Sequence, residues 1–369
     1  MDRYVSLAGT LCLLLLAAVS SAQTVYTVQN GNWADTATWS DGEANRLPTA
    51  SDLTYIAPSH TVSAATAGVA EYLIVGIHWA PGLGQLNVAD GANLSFDDGP
   101  GFTALSIGHY GTDGTVTMTG GTLNANGWVK IGDNDPNGVG AIGQLNISGG
   151  NFAVTETMTV GYSGAKGTVT QTGGSVSTAL LHMGNYNTDT ANSNYSISGN
   201  SNLTIGGGHI GFYNTAEFRV IGSEPSIHVT TGNLLINNWS SWQAGTSHGT
   251  LAFEIDPIAG IAPIIVDTGY ATIAHGTAFE FSGGLPGQSY VLVEVMNPAN
   301  KIWTYPTTYT INDTLKYSLS VSPDELQLIV TVAPCEDSAL EYDLNGDGII
   351  NYLDFALLAE DWMLQGTLQ

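Results

Sequence analysis

The chain has 369 residues, of which 32 are acidic and 7 are basic, and its formal net charge is −25 at pH 7. This acidic excess argues against a nucleic-acid-binding protein, because that class neutralises phosphates with Lys and Arg, and against binding to an anionic membrane surface. The chain is also longer than a single compact core usually is, so we expect several domains or an elongated repeat.

Residues 1–22 have the pattern of a cleaved signal peptide. Arg3 supplies a positive start, Val5 to Val19 is an apolar run, and Ser20-Ser21-Ala22 places small residues before Gln23. No later segment approaches the roughly 20 apolar residues that a membrane-spanning helix needs. We therefore expect a secreted, extracellular or cell-surface protein with no transmembrane segment.

Residues 23–81 are predicted to form an N-terminal cap and the first coils of a repeat. The segment NGNWADTATWSDG at 30–42, followed by Pro48 and Asp52, resembles the opening segment of bacterial secreted β-helix proteins of the autotransporter-associated repeat type. Trp33, Trp39 and Tyr55 supply bulk that would cover the apolar end of a first coil. Stacking on sugars is the alternative role for these rings.

Residues 82–250 repeat themselves, and each period holds three short pieces in which apolar and polar residues alternate. The first pieces start at residues 84, 114, 143, 167, 193 and 216, and the third pieces include LSIG at 105–108 and VKIG at 129–132. Alternation turns every second side chain inward, and strands this short can stack on the equivalent strand of the next period. We therefore predict an all-β fold, a right-handed parallel β-helix (β-solenoid). The Gly-Gly pairs at 120, 149 and 173 leave antiparallel blades or sandwiches as the alternative.

Residues 251–333 contain longer strand patterns, such as SYVLVEV at 289–295 and LQLIVTV at 326–332, separated by Pro and Gly. They predict a β-rich closing region, made either of further coils or of a β-sandwich-like domain. Pro334 then marks a linker to the last segment, residues 334–369.

Residues 343–354 read DLNGDGIINYLD, which is the twelve-residue pattern of an EF-hand-like calcium loop. Oxygen-bearing residues alternate along the loop, and glycine at position 6 allows the sharp turn. The cofactor that this pattern predicts is Ca²⁺, and a polar turn that imitates the pattern is the alternative. The predicted ligands are the side chains of Asp343, Asn345 and Asp347, the carbonyl of Ile349, Asn351 through water, and Asp354 in place of the usual Glu.

The loop and the FALLAEDW that follows it resemble one repeat of a type I dockerin, whereas dockerins carry two such repeats. The resemblance implies a calcium module that docks onto a cohesin-like protein or another cell-surface component. The residues at loop positions 10 and 11, Tyr352 and Leu353, would make the partner face apolar. A short amphipathic helix is predicted from the spacing of Leu353, Leu357, Leu358 and Trp362.

The sequence offers weak support for catalysis. A polysaccharide lyase needs Arg or Lys to hold a carboxylate and act as base. The basic residues after residue 22 are scattered, at Arg46, Lys130, Lys166, Arg219, Lys301 and Lys316.

A glycoside hydrolase needs two carboxylates about 5–9 Å apart. The candidate pairs are Asp97 with Asp98 and Asp133 with Asp135, and both pairs lie in turn sequences. Asp133, Asn134 and Asp135 also supply oxygen atoms that a second calcium ion could use.

Two sets of ring residues recur near the end of the third piece of each period. His109 and His182 are predicted to lie at corresponding positions of nearby coils. The second set consists of Tyr110, Tyr162, Tyr186 and Tyr213. These tyrosines are predicted either to stack as a stabilising ladder or to bind a polysaccharide along the solenoid.

Taken with the weak catalytic signal, these patterns predict a secreted or cell-surface β-solenoid without catalytic residues, structural, adhesive or glycan-binding, tethered through its calcium module. The alternative is a polysaccharide-degrading component, a lyase or a glycoside hydrolase, of a dockerin-type assembly.

Overall fold

The computed structural model describes residues 23–77, 82–133, 141–185, 192–237, 249–274, 276–304, 310–311 and 315–334. These residues form β-strands and one 3₁₀ turn, Thr36–Thr38. The strands in chain order are β1 (Gln23–Thr27), β2 (Gly31–Asn32), β3 (Trp39–Ser40), β4 (Asp52–Ile56), β5 (Thr61–Ala64), β6 (Ala67–Ala70), β7 (Tyr72–Val75), β8 (Leu83–Val88), β9 (Asn93–Asp97), β10 (Thr103–His109), β11 (Asp113–Asn126), β12 (Trp128–Asp133), β13 (Ile142–Tyr162), β14 (Lys166–Gln171), β15 (Ser175–Asn185), β16 (Ser193–Ile197), β17 (Asn202–Ile210), β18 (Ala216–Ile221), β19 (Ser226–Val229), β20 (Leu234–Ile236), β21 (Gly249–Ile255), β22 (Ile264–Val266), β23 (Ala271–Ile273), β24 (Ala278–Gly283), β25 (Ser289–Val295), β26 (Ile302–Thr304), β27 (Thr310–Ile311), β28 (Leu315–Val321) and β29 (Gln327–Pro334).

Parallel pairing stacks these strands into a β-solenoid of about nine turns with three faces. Strands β11, β13, β15 and β17 run through corners and therefore belong to more than one face. Face one is the stack β2-β5-β8-β11-β13-β14-β16-β18-β21-β24. Face two is the stack β6-β9-β11-β13-β15-β17-β19-β22-β25. Face three is the stack β1-β4-β7-β10-β12-β13-β15-β17-β20-β23-β26.

The predicted parallel β-solenoid is confirmed for the described part of the chain, and the antiparallel alternative is wrong for the repeats. The inward residues of the alternating pattern form the core: Leu86 and Leu145 are 0% exposed, and Val88 and Ile147 are 1% exposed. Each inward side chain packs on its counterpart one coil away, since parallel in-register pairing places equivalent residues side by side. The loop–helix calcium module lies outside the described residues.

Glycine lies within one residue of the end of the third strand in most coils, and the corner at this point explains why. Gly108, Gly132 and Gly161 have φ values of +71°, +74° and +72°, which favour glycine. A Cβ atom at Gly108 would lie 2.4 Å from the carbonyl oxygen of Ile142 in the next coil. The glycine is therefore needed both for its backbone angle and for the close approach of two coils.

The N-terminal end of the solenoid is closed by tryptophan. Trp33 and Trp39 are 2% and 0% exposed, their ring centroids lie 5.0 Å apart, and the indole N–H of Trp39 donates to the carbonyl of Trp33 at 2.9 Å. Trp33 also reaches Phe96, with ring centroids 5.9 Å apart. The rings of Trp33 and Trp39 lie in the core at the predicted cap position and are too buried to stack on sugars. Tyr55, the third predicted cap residue, is half-buried on β4.

Arg46 ties this N-terminal end together. Its guanidinium lies 2.7 Å from Asp41, 2.7 Å from Asp52 and 3.0 Å from the side-chain oxygen of Gln23. Asp52 is only 2% exposed. Burial alone would raise the Asp52 pKa, but the hydrogen bonds from Arg46 and Thr49 outweigh it and hold the pKa below its usual range. The ion pair thus fixes β1, the turn before β4, and β4 itself.

Parallel pairing is not confined to residues 82–250, since it begins at β1 and continues to β26. Beyond that the pattern changes: β29 pairs antiparallel with both β25 and β28, and β27 pairs antiparallel with β28. Tyr317 of β28 is 0% exposed, stacks on Phe281 at 5.1 Å and donates to the carbonyl of Gly283 at 2.9 Å. Residues 251–333 thus contain further coils, and the antiparallel strands β27 to β29 join those coils through β25.

Two glycines offer a matched test of the corner. Gly132 and Gly222 have similar φ values, +74° and +72°, but a Cβ atom at Gly132 would lie 2.3 Å from the carbonyl oxygen of Lys166, whereas at Gly222 nothing lies within 4 Å. We expect Gly222→Ala to cost about 1–2 kcal/mol of unfolding free energy. Gly132→Ala should cost roughly 1–3 kcal/mol more, because the coils must separate. Equal losses in urea unfolding curves of the two variants would contradict the close-approach argument.

Candidate functional site

The predicted calcium ligands cannot be placed, because all of them, from Asp343 to Asp354, follow residue 334 and lie outside the described residues. Within the ranges that are described, no three His, Cys, Asp or Glu side chains are grouped in a way that would hold a metal ion. Of the residues predicted for a second calcium site, Asn134 and Asp135 also fall outside those ranges, whereas Asp133 is described.

Asp133 is a buried charge at the end of β12, and it is 3% exposed. One carboxylate oxygen accepts from the hydroxyl of Ser106 at 2.6 Å and lies 3.0 Å from Nδ1 of His109. The other oxygen lies 3.5 Å from the ammonium of Lys130, which is also 4.3 Å from the ring centroid of Tyr162. Burial opposes ionisation, but the His109 hydrogen bond and the Lys130 charge outweigh it and lower the Asp133 pKa.

This group has the composition of a Ser-His-Asp triad but the wrong order of contacts. In a triad, histidine stands between serine and aspartate and accepts the serine proton. Here Ser106 and His109 both contact the same oxygen of Asp133, and Ser106 is 0% exposed. The network therefore joins β10 to β12, and its carboxylate does not face a substrate.

The corner between faces two and three carries two exposed aromatic side chains. Phe102 is 63% exposed and Trp128 is 39% exposed, and the backbone N–H of Trp128 donates to the carbonyl of Phe102 at 2.7 Å. Asn126 donates to Asp97 at 2.6 Å, and Glu156 accepts from the N–H of Gly101 at 3.0 Å. We call this surface the aromatic corner; its residues are Asp97, Asp98, Phe102, Asn126, Trp128 and Glu156.

Asp98, a carboxyl group of the aromatic corner, holds its proton more tightly than usual. Burial, together with the neighbouring charges of Glu71 and Asp97, raises the pKa of Asp98 above its usual range. Asp97 is exposed and accepts hydrogen bonds from Asn126 at 2.6 Å and from the N–H of Gly99 at 3.2 Å. The pair that the sequence suggested for a glycoside hydrolase thus lies at the surface, beside two exposed rings.

Sequence reasoning missed Phe102 and Trp128, although a signal was present. Each follows a glycine with positive φ, Gly101 and Gly127, with φ of +84° and +142°. A glycine that turns the chain just before a large aromatic residue is a pattern for presenting that ring at a corner.

The predicted column of tyrosines is offset. Tyr162 pairs with Asp133, and Asp133 pairs with His109. Each of these three residues comes one position after the corner glycine of its coil. Tyr110 and Tyr213 sit two positions after it and pack on their own neighbours, Tyr110 on His109 at 3.8 Å and Tyr213 on Phe212 at 4.5 Å. Tyr186 lies outside the described ranges.

The predicted match between His109 and His182 is wrong by three positions. Equivalent positions in successive coils are Ser106, Lys130, Thr159 and His182. His109 belongs to a different row, because it pairs with Asp133. The partner of His182 is His209 on β17, with ring centroids 4.9 Å apart, and both rings contact Phe212 at 4.9 Å. Burial, then the neighbouring His209, lowers the pKa of His182 to about 4, and burial lowers that of His209.

The middle of the outer side of face one is uncharged over six coils, whereas charged residues such as Asp113 and Lys166 lie at its edge. Two rows of outward side chains follow the stacked strands, and all of them carry hydroxyl or amide groups. The rows end where Glu217 and Arg219 take over on β18. The first row is Thr61, Gln85, Thr115, Gln144, Thr168 and Asn194, and the second is Ser63, Asn87, Thr117, Asn146, Thr170 and Ser196.

Comparison with protein-family models, curated proteins and solved structures found no match. The part of the chain that the structure describes holds no helix with the length and apolar character needed to cross a membrane.

The stacked histidines predict a pH dependence. Since both pKa values are lower in the folded state, the unfolded state binds more protons below about pH 6.5. The contribution of the two histidines to folding stability is therefore fully present above pH 6.5 and is lost as the pH falls from there through the folded values. The contribution of His182 is a loss of about 3 kcal/mol at pH 4.

We expect the variant carrying both His182→Gln and His209→Gln to lose less stability than the parent between pH 7 and pH 4. Chemical denaturation at several pH values measures this, and the carboxylates common to both proteins cancel in the difference. Identical slopes in the two proteins would rule out the pair as the cause.

Proposed function

We propose that the protein is a secreted or cell-surface β-solenoid without catalytic residues, structural or adhesive in role, that contacts polysaccharide and is tethered through a C-terminal calcium module. The winding is proposed to be right-handed, because parallel crossover connections are right-handed in about 98% of cases. Support for secretion comes from the signal-peptide pattern of residues 1–22.

The observation that carries polysaccharide binding is the aromatic corner. Exposed rings such as Phe102 and Trp128 offer apolar faces to the C–H side of a sugar ring. Beside them Asp97, Asn126 and Glu156 supply oxygen and N–H groups for sugar hydroxyls. Rings next to fixed polar groups form a surface that suits a partly apolar, hydroxyl-rich chain.

The charge of the surface selects among polysaccharides. The aromatic corner contains three carboxylates, Asp97, Asp98 and Glu156, and the outward rows of face one are uncharged. A chain of uronate or sulfated sugars would meet like charges at the corner. We therefore propose an uncharged polysaccharide as the ligand.

A glycoside hydrolase is the second candidate, and the raised pKa of Asp98 favours it. A carboxyl group whose pKa is raised by burial and by neighbouring carboxylates is a feature of the general acid in glycoside cleavage. Asp97 accepts hydrogen bonds that are local to its own corner, as expected for a residue that shapes a turn.

The calcium module is supported by the loop pattern at 343–354. The described chain closes with β29 at Pro334, so the predicted module follows directly after the sheet that ends the solenoid. A cohesin-like protein or another cell-surface component is the proposed partner of this module.

Polysaccharide binding is tested by removing rings. We expect Phe102→Ala and Trp128→Ala each to weaken binding of a soluble uncharged polysaccharide by about tenfold, which is about 1.4 kcal/mol. Trp303→Ala is the matched control. Trp303 is 58% exposed and lies on β26, at the far end of face three from Trp128.

Affinity electrophoresis and calorimetry measure this binding, and assays for released reducing sugar run on the same panel. Equal binding by all four proteins would remove the aromatic corner as the site. Product release that Asp98→Asn abolishes would replace the binding role with the hydrolase.

Calcium binding is tested on the whole protein by calorimetry. We expect one calcium site, and we expect Asp343→Ala and Asp347→Ala each to weaken it at least about tenfold, because each removes a ligand of a hard cation. Glu43→Gln, an exposed acidic residue in the N-terminal region, is the control for loss of charge. A parent protein that takes up no calcium would refute the module.

A further inference from the structure

A groove of about 340 Å³ lies near the C-terminal end of the solenoid, between the loop that joins β21 to β22 and the loop that joins β24 to β25. Its lining includes the apolar side chains of Ile258, Ile261, Pro263, Leu285 and Tyr290 beside the polar side chains of Gln288 and Ser289, and no charged side chain lines it. Ile258 is 96% exposed and Leu285 is 46% exposed. Two large aliphatic side chains thus stand at the rim of an uncharged depression.

The loop that presents Ile258 is held in place. The carboxylate of Asp256 accepts from the N–H groups of Ile258 at 2.7 Å and Ala259 at 2.8 Å, and Asp256 and Gly260 exchange two backbone hydrogen bonds at 2.9 Å. On the opposite wall, the hydroxyl of Tyr290 accepts from the N–H of Leu285 at 3.0 Å. The exposed Ile258 is therefore fixed before any partner arrives, which reduces the entropy lost on binding.

We propose that this groove is the docking site for the apolar side of residues 335–369 of the same chain, the segment that carries the calcium loop. The inference rests on the proposed calcium module and adds where that module sits. The first argument is where the described chain ends. Val332 accepts from the N–H of Gly287 at 2.8 Å and donates to the carbonyl of Gln288 at 2.9 Å, and Gln288 lines the groove. The chain therefore leaves β29 beside the groove.

The second argument is the chemistry of the segment. Leu353, Leu357, Leu358 and Trp362 recur at helical spacing, and a single loop and helix cannot bury such a stripe alone. Residues 335–369 contain eight acidic and no basic residues, so an uncharged groove accepts them where the acidic surface elsewhere would repel them.

The third argument is the tether. Leu353 follows Pro334 by 19 positions, which span up to about 60 Å when extended, so the stripe reaches the groove easily. A tether of this length gives an effective concentration of about 1 mM, so a contact with an intrinsic Kd of roughly 1 mM is half occupied. A small groove is therefore sufficient for an attached segment.

Calcium and docking are coupled in this arrangement. Calcium binding neutralises two charges of the segment and orders its loop, so the loaded segment fits the groove better than the empty one. By linkage, the groove must then strengthen calcium binding by the same factor. This reciprocity distinguishes a calcium module that binds in the groove from one that makes no contact with the groove.

Hydrogen–deuterium exchange on the full-length protein tests the proposal. With calcium, we expect the amides of 256–263 and 284–291 to exchange about tenfold more slowly than with chelator, if the intrinsic Kd lies about ten times below the effective concentration. At a calcium concentration just sufficient to saturate the parent, the slowing should shrink in Asp343→Ala, and it should disappear in Ile258→Lys. Met296→Ser, a change at a residue that is 56% exposed outside the groove, is the matched control and should keep it.

Calorimetry on the same variants distinguishes the two proposals. Ile258→Lys should weaken calcium binding by the same factor by which calcium slows exchange in the parent, whereas Met296→Ser should leave it unchanged. Normal calcium binding with no calcium-dependent protection of the groove would overturn the docking and leave the calcium module standing. Protection that grows with protein concentration would assign the groove to a second copy and would also overturn it.

Discussion

The backbone hydrogen bonds between successive coils are the interaction on which the rest of this structure depends. They require each coil to lie directly on the next, and one of the tight points is the corner after face three, where Gly108 and Gly132 leave no room for a side chain. A shift of register by one residue would place a Cβ atom against a carbonyl there and would turn the apolar rows outward. Glycine positions and apolar alternation therefore specify the same register independently. In the corner after β20, Asn237 takes the place of glycine with φ of +52°, which asparagine tolerates better than other residues.

The scarcity of basic residues becomes informative once their contacts are known. Arg46 pairs with Asp52, Lys130 with Asp133, Arg219 with Glu254 and Lys301 with Glu325. Arg46, Arg219 and Lys301 therefore join neighbouring segments or neighbouring coils, and Lys130 pairs within β12. The remaining carboxylates define the outer field of the protein, so a polyanionic ligand would find few cations to bind. This is the electrostatic reason for favouring an uncharged polysaccharide at the aromatic corner.

The periodicity of the sequence predicted the solenoid because the inward positions, such as Leu86 and Leu145, obey a local rule that holds in every coil. Relations between coils were harder to predict. His109 and His182 were matched by their motifs, yet the register depends on the number of residues after the corner glycine, and one motif has its histidine before that glycine. Phe102 and Trp128 were missed because exposure at a corner has no periodic signature. The calcium loop remains a prediction from its own twelve residues, since no described contact bears on it.

The antiparallel strand β29 has a consequence for the dimensions of the molecule. By reversing direction beside β25 it ends the parallel stack on face two, so the number of coils is set within the chain and not by association of one molecule with the next. Each coil adds about 4.8 Å along the axis. The solenoid therefore acts as a spacer of encoded length between the aromatic corner and Pro334, and gain or loss of one coil between them would change that separation by a fixed step without altering either end.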